Sequence, residues 1–337
     1  MAEKIQASVI IPTWNAATFV ERVLEKLIQQ EGISYEILVI DNGVVNPDTK
    51  IVAERFQGRF PALKYFSYHK QLGYAGAVNE GVKHSSADLV AILNNDNLPD
   101  PRWLIELVDE FKRTRTEKKS VIVTSLVHRP DFPSPLQAKT NFCSRIVYPS
   151  EPEASMQVFH PDGSAFLFDK SVFSLPYDED YFIYHEDVYL GWRAWLMGHE
   201  VRIAPQSKAV TFDGGSTRRI AYRTAYYTER NRWINYFIFY SWSTFFRLYP
   251  LWLLDSTLKF LFGRNKQEKL HAEGWVIYNS LTVLKKRKAM QACRKTSDAD
   301  ILPHLSGTFL SKGSRLAAFI NPQVKAYLKV VFLRLGN

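Results

Sequence analysis

Cysteine is scarce in this chain, long uninterrupted apolar runs are missing, and no internal repeat or low-complexity tract occurs. Of 337 residues only Cys143 and Cys293 are cysteine, which excludes a disulfide framework, a thiolate metal site and a C-x-x-C redox pair. Free structural thiols in a reducing, cytoplasmic compartment are the expectation. Met1 to Lys4 lead directly into the strand-like segment Ala7 to Ile11, leaving no room for the apolar stretch and cleavage site of a signal peptide. The most apolar stretch, Trp233 to Phe262, is interrupted by Arg247, Pro250, Asp255 and Lys259, which argues against a membrane span of about 20 apolar residues. Gly73 and Gly76 lack the rest of the glycine fingerprint and the acidic residue of a dinucleotide-binding turn.

What is present supports a large folded body. Hydrophobic residues make up 46% of the chain and aromatics 14%, enough for a substantial core. The net charge of +9 is unevenly placed: residues 201–337 hold 23 Lys+Arg against 7 Asp+Glu, or +16, which leaves −7 for residues 1–200. A basic second part faces an anionic surface or is simply a solvated basic face. No groove-reading or single-strand motif accompanies it, so nucleic acid is not an expected partner.

The hydrophobic pattern alternates between periods. Ser8–Ile11, Glu36–Ile40, Leu63–Ser67 and Leu89–Leu93 read as short buried strands. Helical stretches near Thr18–Gln30, Asp48–Phe56 and Ala75–Lys83 lie between them. Such alternation predicts an α/β fold with a mostly parallel sheet flanked by helices. A helix from Pro101 to Phe111, strands at Ser120–Leu126 and Ser164–Phe168, a helix at Asp187–Met197 closed by Gly198, and short strands at Val201–Ile203 and Ala209–Phe212 follow. Residues 136–160 carry no clear pattern. From Tyr222 the composition turns to crowded aromatics and helices, which places a boundary near residue 217 and predicts domains over 1–217 and 218–337.

Two acidic clusters carry the candidate chemistry. The strand ending at Leu93 runs into Asn94, Asn95, Asp96 and Asn97, and His185, Glu186 and Asp187 follow about ninety residues later. Hard oxygen ligands at a strand's carboxyl end suit a hydrated Mg²⁺ or Mn²⁺ holding a diphosphate, at the edge where open α/β sheets bind ligands. The same four residues also read as an asparagine-rich turn before Pro99, and adjacent acids at a helix start are ordinary first-turn electrostatics.

The segments Ser8-Val9-Ile10-Ile11-Pro12-Thr13-Trp14-Asn15, Val39-Ile40-Asp41-Asn42, Gly73-Tyr74-Ala75-Gly76-Ala77-Val78-Asn79, Leu93-Asn94-Asn95-Asp96 and Glu186-Asp187 together resemble the inverting family 2 glycosyltransferases, in particular the rhamnosyltransferase-like branch. The resemblance spans roughly residues 6–217 and implies a GT-A, nucleotide-sugar-binding fold. It implies transfer of a sugar from a nucleoside diphosphate to an acceptor hydroxyl with inversion. By that resemblance Pro12, Thr13, Asn15, Asp41, Gly76, Asn79, Asn94 and Asn95 lie on the nucleotide-sugar side, with Asp41 reading an edge of the base. Asp96 is the metal ligand, Asp187 the general base, and Glu186 its neighbour orienting acceptor or base. Asp162 and Gly163 resemble the family's acceptor-side segment, and Trp192 and Arg193 are candidates to stack on a sugar and reach a phosphate, or else core and surface.

The chain departs from the pattern in two places. Asn94 stands where many relatives have aspartate, and Phe212 where many have a histidine metal ligand. Asp213 is the substitute ligand the sequence offers, and Arg218, Arg219 and Arg223 offer positive charge for a diphosphate instead. The aromatic helices and the basic run Lys285-Lys286-Arg287-Lys288 are read as a peripheral anchor on an anionic membrane at its cytoplasmic face, or as a surface packing on the catalytic part or a second subunit. The functional expectation is an inverting transferase adding a sugar, first rhamnose from its thymidine-diphosphate donor, to a polysaccharide or lipid-linked glycan. The other reading is a non-catalytic nucleotide-sugar- or glycan-binding relative with a degraded metal site.

Overall fold

The computed structural model describes residues 4–60, 62–118, 120–129, 138–147, 156–212, 221–263, 265–310 and 315–331. The chain opens as β1 (Ala7–Thr13), α1 (Ala17–Leu27), β2 (Tyr35–Asn42), α2 (Asp48–Gln57), β3 (Leu63–Tyr68), α3 (Gly73–His84) and β4 (Leu89–Leu93). β1, β2 and β4 are buried at nearly every position because helices cover both faces of the sheet, as parallel strands require. Next come β5 (Asn97–Pro99), α4 (Trp103–Lys118), β6 (Ser120–His128), the small pair β7 (Lys139–Thr140) and β8 (Ile146–Val147), β9 (Ala165–Asp169), α5 (Glu186–Leu196) and β10 (Glu200–Thr211). The main sheet runs β3-β2-β1-β4-β9-β6-β10-β5. It is parallel except where β9 lies antiparallel between β4 and β6, and where β5 lies antiparallel on β10.

Alternate residues of each strand feed two core layers. Val9, Ile11, Val39 and Leu93 pack with α1, α2 and α4 through Val23, Phe56 and Trp103. Ile10, Ile40, Ile92, Phe166 and Phe168 face the other way, towards α3 and α5. That second layer continues without a break into α6 (Ala221–Phe239), α7 (Trp242–Phe262), α8 (Lys266–Tyr278), α9 (Ser280–Ala292), α10 (Asp298–Ile301) and α11 (Arg315–Val331). Tyr236, Phe239, Leu248 and Trp252 belong to the same cluster as Phe166 and Trp192. Each such side chain contributes about 1.5–3 kcal/mol of burial. The composition change near residue 217 thus separates two stretches of sequence whose side chains share one core.

Several boundaries differ from those read off the sequence. The two short strands at 201–203 and 209–212 are one strand, β10, with a shift of register between Ala204 and Lys208. The asparagine-rich segment is not only a turn: Asn97–Pro99 pairs with Ala209–Thr211 as β5. α4 runs to Lys118 rather than Phe111, and α3 starts at Gly73, whose φ of +72° sets the entry into the helix.

Candidate active site

The chain passes from β1 to β2 and β3 on one side, then crosses to β4 on the other. β1 and β4 therefore form the switch point of the sheet, and ligands of open α/β sheets bind outside the carboxyl ends of such strands. A cavity of about 440 Å³ opens there, and Thr13, Asn95, Asp96, Asp162, Glu186 and Asp187 are on its wall.

One wall is a lattice of short polar contacts between strand ends. Asn42 donates to the Thr13 carbonyl at 2.9 Å, and Asn95 donates to the Thr13 hydroxyl at 2.9 Å. Asn15, held at φ +45°, bonds the Gly43 carbonyl at 2.8 Å and accepts from the Val45 amide at 3.0 Å, tying the loop after β1 to the loop after β2. The buried Asp41 carboxylate accepts from the Asn15 amide and the Tyr65 hydroxyl. Burial pushes its pKa up, and those donors only partly offset the effect. The Tyr74 hydroxyl lies 2.9 Å from Asn94 Oδ1 and 2.5 Å from the Gly163 carbonyl, bridging this wall to the opposite one.

The opposite wall is built around a strained loop. Phe182, Tyr184 and His185 have φ of +60°, +70° and +65°, conformations that cost about 1–3 kcal/mol each outside glycine. They deliver Glu186 and Asp187 to the first turn of α5. Asp187 Oδ1 accepts from the Val188 amide, while Oδ2 lies 3.6 Å from Nδ1 of the buried His160. Gly191 lets α5 approach that closely, since a Cβ there would lie 2.4 Å from the Phe159 carbonyl oxygen. Burial raises the pKa of Asp187, and burial followed by the Asp187 charge raises that of Glu186. The helix amino terminus favours the anions by only about 0.3–1 kcal/mol, and burial wins.

Asp162 is tuned the other way. Burial works to raise its pKa, but the Arg129 guanidinium at 2.5 Å and the Ser164 amide and hydroxyl outweigh it, so it is held ionised. His185 is pushed down to about 3 by burial and then by the Arg232 charge, and stays neutral. The cavity thus presents the ionised carboxylate of Asp162 beside an adjacent pair that resists double ionisation.

Nine of the residues expected from the sequence meet on this cavity: Pro12, Thr13, Asn94, Asn95, Asp96, Asp162, Gly163, Glu186 and Asp187. Others lie behind it. Asn15 and Asp41 stand one layer back, and Asn42 takes the wall position beside them. Gly76 packs against Leu72, and Asn79 exchanges hydrogen bonds with the Tyr177 backbone. Trp192 does not reach the cavity. It is fully buried between Phe159, Phe239 and Tyr240, with ring centroids at 4.9, 5.4 and 4.8 Å, because α6 covers that face of α5. Arg193 points to the Leu175 carbonyl and the Phe173 ring. Asp213, Arg218 and Arg219 lie outside the described residues, as does the side chain of Arg223. Tyr74, Arg129 and His160 were not singled out from the sequence, although His160 sits two residues before Asp162 and Arg129 directly follows β6.

The donor set for a divalent ion is thin. Asn94 Oδ1 is engaged by Tyr74, and the Phe212 ring is turned away onto Phe19 and under Arg22. Among the described residues no three acidic, histidine or cysteine side chains converge as a metal cage. Mg²⁺ and Mn²⁺ commonly take one or two carboxylates and complete their shell with phosphate oxygens and water. Asp96 at the end of β4 fits that role, and a preformed protein cage does not.

Residues 8–173 match the family model described as glycosyl transferase family 2. Glycosyltransferase AglE of Haloferax volcanii is 34% identical over 99 residues, which is 29% of this chain and 32% of that protein. The chain thus spans about a third of the length of that curated relative. A mannosyltransferase of Pyrobaculum calidifontis, solved with GDP-Man and Mn²⁺, superposes over 99% of this chain and 88% of its own with a TM-score of 0.51 at 16% identity. GalNAc-T7, solved with UDP, GalNAc and Mn²⁺, covers 84% of this chain and 58% of its own with a TM-score of 0.57 at 14% identity. At such identities the structural likeness shows the fold, GT-A, and residues 8–173 of this chain match the glycosyl transferase family 2 model.

Proposed function

We propose that the protein transfers a sugar from a nucleoside-diphosphate donor to an acceptor hydroxyl with inversion, Asp187 acting as the base. The observation that carries this reading is the shared cavity: the strand-end residues Thr13, Asn95 and Asp96 face the Glu186–Asp187 pair across one space. Donor diphosphate would lie along the first wall, where Asp96 would hold a divalent ion able to offset the charge of the leaving group. Asp187 takes the acceptor's proton as its oxygen attacks from the face opposite the diphosphate. His160, whose Nδ1 is hydrogen-bonded to the Pro161 carbonyl at 2.8 Å and lies 3.6 Å from Asp187, stands beside the carboxylate, and Glu186 holds or shares a proton. Asp162, Gly163 and Arg129 border the acceptor side. Rhamnose from TDP-rhamnose is the first donor to try.

Calorimetric titration with a panel of nucleotide sugars, each with and without Mg²⁺ or Mn²⁺, tests the reading without knowledge of the acceptor. Binding of one donor, strengthened by metal, is expected. Silence across the panel favours a non-catalytic relative.

The acceptor reading is a lipid-linked or polysaccharide glycan met at the cytoplasmic membrane face. No helix among the described residues is long and apolar enough to cross a membrane. α7 exposes Trp242, Phe246, Tyr249, Leu253 and Phe260 along one side, which supports lying on a membrane. The basic run contributes less than its sequence promises. Lys286 pairs with Asp178 and Asp180, and Arg287 is buried under the Trp242 ring, which leaves Lys285 and Lys288 facing outward. At about 1 kcal/mol per charge, aromatic insertion must supply the rest. Flotation with anionic liposomes is expected. A protein that stays at the bottom of the gradient and elutes as a dimer would assign the apolar face to a second subunit instead.

A further inference from the structure

α6 carries buried polar side chains where a helix inside an aromatic core has no use for them. Arg230, Asn231 and Asn235 are 6%, 0% and 0% exposed. Burying such groups is unfavourable unless each finds partners, and their partners are nearly all in one place. Asn231 Nδ2 lies 2.8, 2.9 and 2.7 Å from the carbonyl oxygens of Tyr181, Ile183 and Tyr184. Arg230 donates to the carbonyls of Asp180 and Tyr181, its guanidinium held over the Trp275 ring. Asn235 donates to the His185 carbonyl at 3.3 Å and accepts from the Tyr181 hydroxyl at 2.5 Å. Asn231 and Asn235 thus engage carbonyls of the left-handed loop that ends at Glu186, and Arg230 engages those of the two residues that lead into it.

We infer that Arg230, Asn231 and Asn235 are positioning residues, which hold the 182–185 loop in its strained form and so set where Glu186 and Asp187 stand in the cavity. Strained backbone persists only when its surroundings over-determine it, and here the determinants come from a helix some fifty residues downstream. The C-terminal helices are then part of the site's construction as well as its core. The inference rests on Asp187 acting as the base only for its kinetic consequence; the effect on the loop is independent of any reaction.

Asn231→Leu, which keeps the volume and removes the donors, is the central variant. Asn231→Asp is the second, replacing the donor with an acceptor in the same shape, and Ile234→Ala is a control that loosens α6 while keeping its hydrogen bonds to the loop. Hydrogen exchange of the wild type and variants, read on peptides covering 181–188, is expected to accelerate in both Asn231 variants and to stay near wild type in Ile234→Ala. With a donor and acceptor in hand, kcat is expected to fall about 100-fold through misplacement of the carboxylate, with donor KM within about threefold of wild type. The pH at half-maximal kcat is expected to move down as the loop admits water, towards the value Asp187 would have among Glu186, His160, Asp162 and Tyr74 in a looser cavity. Unchanged exchange at 181–188 in a folded Asn231 variant overturns the inference whether or not any donor turns over. So does an equal loss of kcat in an Ile234→Ala protein of matched thermal stability. A wild type without turnover but with loop exchange that depends on Asn231 overturns the transfer reading alone.

Discussion

The cavity wall formed by Thr13, Asn42, Asn94 and Asn95 stands on the ends of regular parallel strands, whereas the wall formed by His160, Asp162, Glu186 and Asp187 depends on a left-handed loop and a tight helix crossing. The first is held by contacts between neighbouring strand ends, such as Asn42 to Thr13. The second is held from a distance, by α6 and by the close approach that Gly191 permits. A wall made by strand ends tolerates change in the rest of the molecule, while a wall held by remote side chains does not. Perturbing the second wall should therefore alter turnover while leaving donor affinity intact.

Asp187→Asn tests that separation most sharply. General-base catalysis contributes about 10²–10⁴-fold, so kcat in a sugar-transfer assay is expected to drop on that order, with donor binding by calorimetry unchanged. Unaltered turnover removes Asp187 from the base role. Trp192→Ala asks whether the wall and the core behind it can be told apart. A ring buried on all sides is expected to cost about 3–5 kcal/mol of folding stability in denaturant melts. A stable variant with only a raised acceptor KM would return Trp192 to the acceptor site. Gly163→Ala is gentler: its Cβ would lie 3.1 Å from Asp187 Cβ, and a displacement of a few tenths of an ångström is expected to lower kcat about tenfold at constant donor KM.

What was legible in the sequence follows the same divide. Short continuous apolar runs exposed β1, β2 and β4, and the 3.6 period exposed the helices between them, because burial on both faces leaves a run rather than an alternation. Asn94 to Asp96 stood out because they are contiguous at a strand end. Arg129 and Tyr74 did not, because the contacts they make on the wall depend on β9 entering the sheet antiparallel between β4 and β6, a topology no local pattern encodes. Trp192 read from the sequence either as a sugar-stacking ring or as core, because both sides of α5 are apolar and the helix period cannot say which one α6 will cover. Asn231 and Asn235, spaced i and i+4, and the charged Glu229, Arg230 and Arg232 beside them are the local signs that α6 faces something polar.

The smallest of these effects separates the two carboxylates at the head of α5. Burial and the Asp187 charge raise the pKa of Glu186, so the folded state holds its proton more tightly than the unfolded chain does. Stability gained from the neutral carboxyl is then present below the ordinary carboxylate range and is lost as pH rises towards the raised value. Glu186→Gln fixes the neutral form, and the decline of stability with rising pH is expected to flatten. Because Glu186 still holds its proton where Asp187 ionises, the same change removes no charge from beside the base, and the acid limb of kcat is expected to stay in place while the maximum changes by less than about threefold. A limb displaced tenfold in proton concentration corresponds to about 1.4 kcal/mol of interaction between the two groups. A limb that moves to lower pH would mean instead that Glu186 is ionised beside the base and that its charge, as well as burial, sets the ionisation of Asp187.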